Sequence, residues 1–154
     1  MLPETFELQI VTHERLVVRE EVQEAQVPGK NGYLGILPGH APLLSELMVG
    51  EVSYRRGAAW ADMAVAWGFV EVLPDRVIVL AETAERAEEI DVERAATARR
   101  RAEERLARAG QDPAIDLNRA QVALQRALTR LQVAGKGAGA APPGALPTEP
   151  VPAP

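Results

Sequence analysis

Hydrophobic and polar residues alternate along the first half of the chain, and this pattern predicts β-strands. The clearest alternating or apolar runs cover residues 6–11, 22–27, 68–73 and 76–80. Turn-forming residues bound these runs, including Pro38-Gly39, Arg56-Gly57, Pro74-Asp75 and the stretch 28–32. Many short strands at intervals of about 8–12 residues are typical of a sandwich or barrel. We therefore predict an all-β sandwich over residues 1–84.

The hydrophobic period changes near residue 84, and the pattern from 85 to 134 predicts two α-helices. Ala, Arg, Glu and Leu dominate this segment, whose only Gly and Pro are Gly110 and Pro113. Gly110 suits the end of a first helix, and Asp112 with Pro113 suits the N-cap and first turn of a second. A connection this short predicts an antiparallel hairpin.

Small residues make up most of the predicted seam between the two helices. The seam residues are Ala95, Ala98, Ala102, Leu106 and Ala109 against Ala120, Leu124, Leu128 and Leu131. Burying alanine contributes little at ~25 cal/mol per Å² of apolar surface. We expect a weakly anchored hairpin that can open.

The last twenty residues, 135–154, hold six Pro, four Gly and five Ala. Such a composition cannot bury enough apolar surface to form a core. We predict a disordered tail.

The charges and aromatic residues are distributed unevenly. Residues 1–84 carry 12 acidic and 6 basic side chains and all six aromatic residues, whereas residues 85–134 carry 9 acidic and 10 basic side chains. The packed core therefore belongs to the first half. An overall charge of −5 argues against nucleic-acid binding, which needs a basic surface.

The residue inventory excludes most catalytic and metal chemistry. The chain has no Cys and only two His, His13 and His40, and its only serines are Ser45 and Ser53. A thiol nucleophile, a Ser-His-Asp site and a His-rich or Cys-ligated metal site are therefore not expected. No apolar run approaches the ~20 residues of a membrane span, and the first residues do not resemble a signal peptide. We expect a soluble, cytosol-side protein without membrane insertion.

The pattern Ile-Asp-x-x-Arg-Ala occurs near the start of each predicted helix, at 90–95 and at 115–120. Arginines then recur at intervals of 7 and 4 residues, as Arg94, Arg101, Arg105 and as Arg119, Arg126, Arg130. This spacing places each trio within about 40° of one helix face. The rows are either solvated faces, with each Asp capping its helix, or a site for a polyphosphate, which Arg binds well.

The segment 32–44 is uncharged and holds three Gly and two Pro. Two interpretations are open. It forms a strand–turn–strand with Leu34, Ile36 and Leu43 in the core, or it presents an exposed apolar ridge to a partner.

The chain resembles the epsilon subunit of bacterial F-type ATP synthase in several motifs that occur in the same order. They are Gly-Tyr-Leu-Gly-Ile-Leu-Pro-Gly-His-Ala-Pro-Leu-Leu at 32–44, Trp-Gly-Phe-Val-Glu-Val at 67–72 and Val-Ile-Val-Leu-Ala-Glu-Thr-Ala-Glu at 77–85. The repeated Ile-Asp-x-x-Arg-Ala and Arg-Ala-Leu-x-Arg-Leu-x-Val at 126–133 complete the set. The likeness covers residues 4–134.

The resemblance implies a non-catalytic rotor subunit, whose β-sandwich sits at the foot of the central stalk beside the gamma subunit and on the c-ring. It implies a hairpin that inhibits ATP hydrolysis when it extends into the catalytic head of alpha and beta subunits. It also implies a peripheral location at the cytoplasmic face of the cell membrane. The implied partner-contact residues are Tyr33, Leu34, Pro38, Gly39, His40, Ala41 and Pro42.

The resemblance requires no cofactor, but in some bacterial members the folded hairpin binds ATP as a regulatory ligand. The residues that match that site are Glu85, Asp91, Arg94, Arg101, Arg126 and Arg130. Two departures stand out: Tyr33 replaces an acidic residue that many relatives place against the c-ring, and Arg99-Arg100-Arg101 is an unusually basic run. A free-standing ATP-sensing module is the alternative function, and the scarcity of nucleophiles and bases disfavours a small enzyme.

Overall fold

A computed structural model describes residues 2–137 of the 154-residue chain. Strands occupy the first part of this range and two helices the rest, which confirms a β-sandwich followed by a two-helix hairpin. The strands are β1 (Phe6–Val11), β2 (Leu16–Val22), β3 (Glu24–Gly29), β4 (Gly32–Ile36), β5 (Leu43–Leu47), β6 (Gly50–Arg56), β7 (Ala59–Val72) and β8 (Arg76–Arg86). A short 3-10 helix (Ala87–Glu89) leads to α1 (Val92–Arg108) and α2 (Leu117–Lys136).

The strands form one continuous hydrogen-bonded sheet that folds over on itself. Its order is β2-β1-β8-β7-β5-β3-β4, with β6 joining β3 and β7. β1 and β8 are parallel, and the other pairs are antiparallel. The long strand β7 connects the two layers, because residues 59–65 pair with β6 and residues 68–72 pair with β5.

A sharp bend at Trp67 and Gly68 allows β7 to serve both layers. Both residues have positive φ, 57° and 125° respectively. A Cβ atom at Gly68 would lie 1.9 Å from the carbonyl oxygen of Leu80 on the neighbouring strand β8. Only glycine fits such a close approach of two backbones.

The core lies between the two layers of the sandwich. Its largest fully buried side chains all come from the strands: Tyr54, Phe6, Leu8, Ile10, Ile36, Leu47, Met63, Val18, Val22, Val27, Val52 and Val70. Burial also raises the pKa of the Tyr54 phenol. The core thus belongs to the first half of the chain, as the aromatic distribution predicted.

The predicted strand 22–27 is wrong in one respect, because it combines the end of β2 with most of β3. The chain changes partners at Gln23: β2 pairs with β1, whereas β3 pairs with β4 and β6. The Gln23 side chain accepts a hydrogen bond from the Gly57 amide at 2.6 Å, and its backbone amide donates to Arg55 at 2.9 Å. These bonds hold the break in place.

The predicted limits of the helices around the connecting turn need correction. α1 ends with Ala109 as its C-cap in right-handed conformation, and the glycines with positive φ do not include Gly110. Asp112 does not cap α2 but accepts a hydrogen bond from the Ala114 amide at 2.9 Å in a separate turn. Asp116 is the N-cap and accepts from the Arg119 amide at 3.0 Å. Asp91 caps α1 in the same way.

The seam of the hairpin is built from alanine, but its predicted leucines are less buried than expected. Ala95, Ala102, Ala120 and Ala127 are buried in the helices. Leu128 is 41% exposed, so its assignment to the seam is wrong. The other predicted leucines, Leu106, Leu124 and Leu131, are half-buried, so the closest packing of the helices is through the alanines.

The β-sandwich and the second helix each end two residues later than the sequence pattern predicted. β8 continues through Glu85 and Arg86, which pair with Ala64 and Met63 of β7. α2 continues to Lys136 and therefore covers the first two residues of the predicted tail. Gly137 is its C-cap, and residues 138–154 of the tail lie outside the described residues. No helix within residues 2–137 is long and apolar enough to cross a membrane.

We expect a polypeptide of residues 1–86 to fold alone, because the large buried side chains all lie in the strands. The hairpin adds only a small apolar cluster of Ile90 and Val133 against Ala64 of the sandwich. Thermal unfolding followed by circular dichroism should give one cooperative transition. A gradual, non-cooperative loss of β-structure would show that the sandwich needs the hairpin.

Candidate functional site

A cleft of about 450 Å³ lies between the hairpin and the sandwich. Residues of β7, β8, α1 and α2 and the residue preceding β6 line it: Val49, Ala64, Val65, Ala66, Thr83, Glu85, Arg94, Ala98, Ala123, Arg126, Ala127, Thr129 and Arg130. Its volume is within the range of small-molecule sites, about 300–1,000 Å³.

The cleft exists because small side chains face each other across the junction. Ala64 and Ala66 on β7 oppose Ala98 on α1 and Ala123 and Ala127 on α2. None of these side chains is long enough to fill the space between the helices and the sheet. The result is an apolar wall, which suits the flat face of an aromatic ring.

Charged residues lie at the other side of the cleft. The Arg130 guanidinium donates two hydrogen bonds to the Glu85 carboxylate, at 2.7 and 3.0 Å. Within residues 2–137, the guanidinium groups of Arg94 and Arg126 make no ion pair or hydrogen bond, and only the Arg94 backbone amide is bonded, to Asp91. Three arginines against one carboxylate leave an excess of two positive charges. This arrangement can bind a polyphosphate, with Arg as a planar bidentate donor.

The structure brings together four of the six residues that match the ATP site: Glu85, Arg94, Arg126 and Arg130. Asp91 lies outside the cleft and caps α1. Its carboxylate accepts a hydrogen bond from the Arg94 backbone amide at 3.0 Å and so fixes the start of the helix that carries Arg94.

The two arginine rows do not converge along their whole length. Because the helices are antiparallel, Arg94 near the start of α1 meets the end of α2. Arg105 and Arg119 line a second cleft of about 330 Å³ near the connecting turn. Arg101 lines neither cleft. Each row is thus divided between two places.

Sequence reasoning missed the neutral part of the cleft. Thr83 lies two positions before Glu85 on β8 and so shares its face of the sheet. Thr129 precedes Arg130 on α2 and adds a second hydroxyl. The alternation along the strand could have indicated that Thr83 shares a face with Glu85, and the many alanines between residues 95 and 127 could have indicated a wall of small side chains. Neither pattern identifies a ligand site without the tertiary contacts.

The segment 32–44 forms the predicted strand–turn–strand and also exposes apolar side chains. Ile36 is buried and Leu34 packs against the core, but Leu43 is 37% exposed, so its assignment to the core is wrong. The strand register explains this exposure. Leu43 is the first residue of β5 and pairs with Val72, the last residue of β7, where the sheet ends.

Backbone hydrogen bonds fix the turn between β4 and β5. The His40 amide donates to the Leu37 carbonyl at 3.1 Å, and the Gly39 amide donates to the Pro74 carbonyl at 2.9 Å. Gly39 has a φ of 79°, and the Leu2 side chain lies over it. Ala41 and Pro42 are exposed, while Pro38 and His40 are half-buried. Backbone hydrogen bonds thus shape the turn at residues 37–42, whereas Leu34 packs against the core.

Tyr33 combines an exposed ring with a bound hydroxyl. The ring is more than half exposed, and its Oη accepts a hydrogen bond from the Glu51 amide at 3.1 Å. The side chain therefore lies flat against the start of β6 rather than projecting freely.

An apolar row crosses the outer face of the sheet beyond this turn. Phe69 on β7 is opposite Leu80 on β8, Leu80 is opposite Val11 on β1, and Val11 is opposite Leu16 on β2. Residues directly opposite one another share a face. Phe69 and Leu80 are 52% and 51% exposed, and Leu44 on β5 is 69% exposed. We name Leu16, Leu44, Phe69 and Leu80 the apolar face.

Two family profiles together match most of the chain. The profile described as ATP synthase, Delta/Epsilon chain, beta-sandwich domain matches residues 5–87. The profile described as ATP synthase, Delta/Epsilon chain, long alpha-helix domain matches residues 88–135.

Curated relatives carry the same designation. The ATP synthase epsilon chain of Koribacter versatilis (strain Ellin345) is 57% identical over 111 residues, covering 72% of this chain and 78% of its own length. That of Solibacter usitatus (strain Ellin6076) is 51% identical over 114 residues, covering 74% and 82%. A chain in a structure of the Euglena gracilis mitochondrial ATP synthase, OSCP/F1/c-ring, shares the fold with a TM-score of 0.73 at 23% identity, covering 87% of this chain and 83% of its own.

Proposed function

The chain belongs to the ATP synthase delta/epsilon family, and from this premise we propose how it works as a non-catalytic subunit of the central stalk. The sandwich seats on the gamma subunit and the c-ring and turns with them, coupling proton-driven rotation to ATP synthesis. The hairpin inhibits ATP hydrolysis when it leaves the sandwich and extends toward the alpha and beta subunits. ATP bound in the cleft holds the hairpin down.

Two surfaces support the seating of the sandwich on other rotor subunits. Phe69, Leu80 and Leu16 lie in one row across neighbouring strands, and Leu44 lies on the same face, two positions along β5 from the row. An exposed apolar patch of this kind marks an interaction surface. The turn at 37–42 is uncharged and held rigidly by its backbone hydrogen bonds. A rigid surface loses little conformational freedom on binding. We assign the apolar face to gamma and the turn to the c-ring, which places the subunit peripherally at the cytoplasmic face of the membrane.

The observation that carries the regulatory part is the excess positive charge of the cleft, which both helices of the hairpin contribute beside the wall of the sandwich. Arg94 belongs to α1, Arg126 to α2 and Thr83 to β8 of the sandwich. A ligand that contacts all three stabilises only the docked hairpin, because the residues separate when the hairpin leaves. A ligand shifts an equilibrium only through such a difference in affinity between two states.

Purification of the complex tests the rotor function. A tagged form of this protein should retain gamma and the alpha and beta subunits through size-exclusion chromatography. Recovery of the tagged protein alone, together with ATP binding, would favour a free-standing ATP-sensing module.

Polar substitutions on the apolar face are expected to weaken that assembly. Leu44→Gln and Leu80→Gln each remove an exposed leucine, and burying a leucine contributes about 1.5–3 kcal/mol, so binding of gamma should weaken roughly ten- to a hundredfold. Leu117→Gln is the matched control, since Leu117 is as exposed as Leu80 but lies on the hairpin. Unchanged affinity of gamma for both sandwich variants, each with a native unfolding transition, would contradict the assignment of this face.

A further inference from the structure

Lys136, the last residue of α2, inserts its ammonium group between two carboxylates of the sandwich. Its Nζ atom lies 2.5 Å from Oε1 of Glu51 and 4.0 Å from Oδ1 of Asp62. Glu51 is on β6 and Asp62 is on β7. The ion pair therefore joins the C-terminal end of the hairpin to the adjoining strands of the sandwich.

Both carboxyl groups are deeply buried, so a negative charge on either one is stable only when a cation lies beside it. Glu51 is 2% exposed and Asp62 is 7% exposed. The Ser53 hydroxyl lies 2.7 Å from Asp62 Oδ1, and within residues 2–137 Glu51 Oε2 and Asp62 Oδ2 have no hydrogen-bond partner. Burial raises the pKa of the Glu51 carboxyl, the neighbouring Asp62 carboxyl group raises it further, and the Lys136 ammonium group opposes both effects. A buried charge left without its partner is strongly unfavourable.

The remaining contacts of α2 with the sandwich are few. The apolar part is a cluster of Ala64, Ile90 and Val133, with Ala87 and Ala134 at its edge. The Gln125 side-chain amide donates to the Val49 carbonyl at 3.1 Å, and Arg130 pairs with Glu85 in the cleft. With so little apolar surface between the two parts, the polar contacts decide how firmly the hairpin is held.

We propose that Lys136, together with Glu51 and Asp62, is an electrostatic latch that holds the hairpin on the sandwich. The latch is distinct from the cleft, because none of its three residues lines that space. Undocking leaves two acidic groups in one small site without their cation, and neutralising Lys136 does the same. The consequence for ATP hydrolysis rests on the proposed function, whereas the latch itself is a property of the isolated chain.

The chain contains two lysines, and this permits an internally controlled test. Lys30 pairs with Glu46 on the surface, with side chains 61% and 49% exposed, whereas the Lys136 side chain is 16% exposed. Acetic anhydride transfers an acetyl group to a deprotonated amine and releases acetate. Mass spectrometry of the full-length protein, sampled over time, gives the acetylation rate of each lysine separately.

In the unmodified protein we expect Lys136 to react at least about tenfold more slowly than Lys30, because it reacts only when the hairpin opens. The double variant Glu51→Gln, Asp62→Asn should bring Lys136 within about fourfold of Lys30, which is the ratio of their exposed fractions. Equal rates for the two lysines in the unmodified protein would overturn the latch. So would a Lys136 rate in the double variant that is unchanged from the unmodified protein.

A second measurement does not depend on sandwich substitutions. Lys136→Gln should speed hydrogen exchange of the α2 backbone amides by about tenfold, Lys136→Arg should retain most of the protection, and Lys30→Gln is the matched control. Identical exchange in Lys136→Gln and the unmodified protein would also overturn the latch. These results do not depend on enzyme turnover, so the latch can stand even if the hairpin proves not to inhibit hydrolysis.

Discussion

Removal of residues 87–154 is expected to raise ATP hydrolysis by the assembled ATP synthase while leaving proton-driven ATP synthesis intact. The hairpin rests on the sandwich through a small apolar cluster and a few polar contacts, so its docked and extended states should differ by only a few kcal/mol. A difference of about 1.4 kcal/mol in favour of the extended state would block most complexes, and removing the hairpin would then raise hydrolysis up to about tenfold.

The measurement is ATPase activity of the purified complex at low and at saturating ATP, alongside ATP synthesis driven by an imposed proton gradient. The increase should be larger at low ATP if ATP favours the docked hairpin in the intact subunit, as we propose. Removal of residues 138–154 alone is the control for the tail. If the shortened subunit assembles and hydrolysis is unchanged at every ATP concentration, the hairpin is not an inhibitor in this enzyme.

Substitution of the cleft arginines should have the second large effect. Arg94→Ala and Arg126→Ala each remove a guanidinium that lines the cleft. A hydrogen bond to a charged group contributes about 1.5–3 kcal/mol, so each substitution should weaken ATP binding roughly ten- to a hundredfold. Isothermal titration of ATP into the isolated protein measures this directly.

Two other arginines of α1 serve as controls. Arg99 pairs with Glu103 on its own helix at 2.8 Å, so Arg99→Ala should have little effect. Arg101 matches the ATP site of relatives by its motif but does not line the cleft, and we expect Arg101→Ala to behave like Arg99→Ala. Equal losses at Arg94, Arg99 and Arg126 would indicate nonspecific attraction between phosphate and a basic hairpin. No binding at millimolar ATP would leave the arginines as a solvated face.

The sequence pattern predicted those features of the molecule that depend only on residues close together in the chain. β1 has the predicted limits, because its alternation of buried and exposed residues is regular. The aspartates of the repeated motif cap the two helices, as one of the two interpretations required. The helix ends near Gly110 and Asp112 were misplaced, since two aspartates compete for the N-cap within five positions and the sequence does not rank them.

Other features depend on contacts that sequence periodicity does not contain. Leu128 has the spacing of a seam residue, yet alanines set the distance between the helices and leave it exposed. Lys136 falls in a segment rich in glycine and proline, and the composition of that segment does not indicate that the lysine pairs with acidic residues. That partner is a pair of carboxylates some 80 positions earlier, which are brought together only when β6 and β7 pair. The cleft likewise needs both the hairpin and the sandwich before it exists.

The bend in β7 has a mechanical consequence for the rotor function that we propose, since a rotor subunit transmits torque. β7 is hydrogen-bonded to β8 on both sides of Trp67 and Gly68, and to β6 and β5 in turn. A force that pushes one layer past the other is therefore shared among many hydrogen bonds at once, rather than opening them one after another. Because β7 runs through both layers, it stiffens the connection between them. A stiff sandwich rotates as a single body and stores little of the rotation as elastic twist.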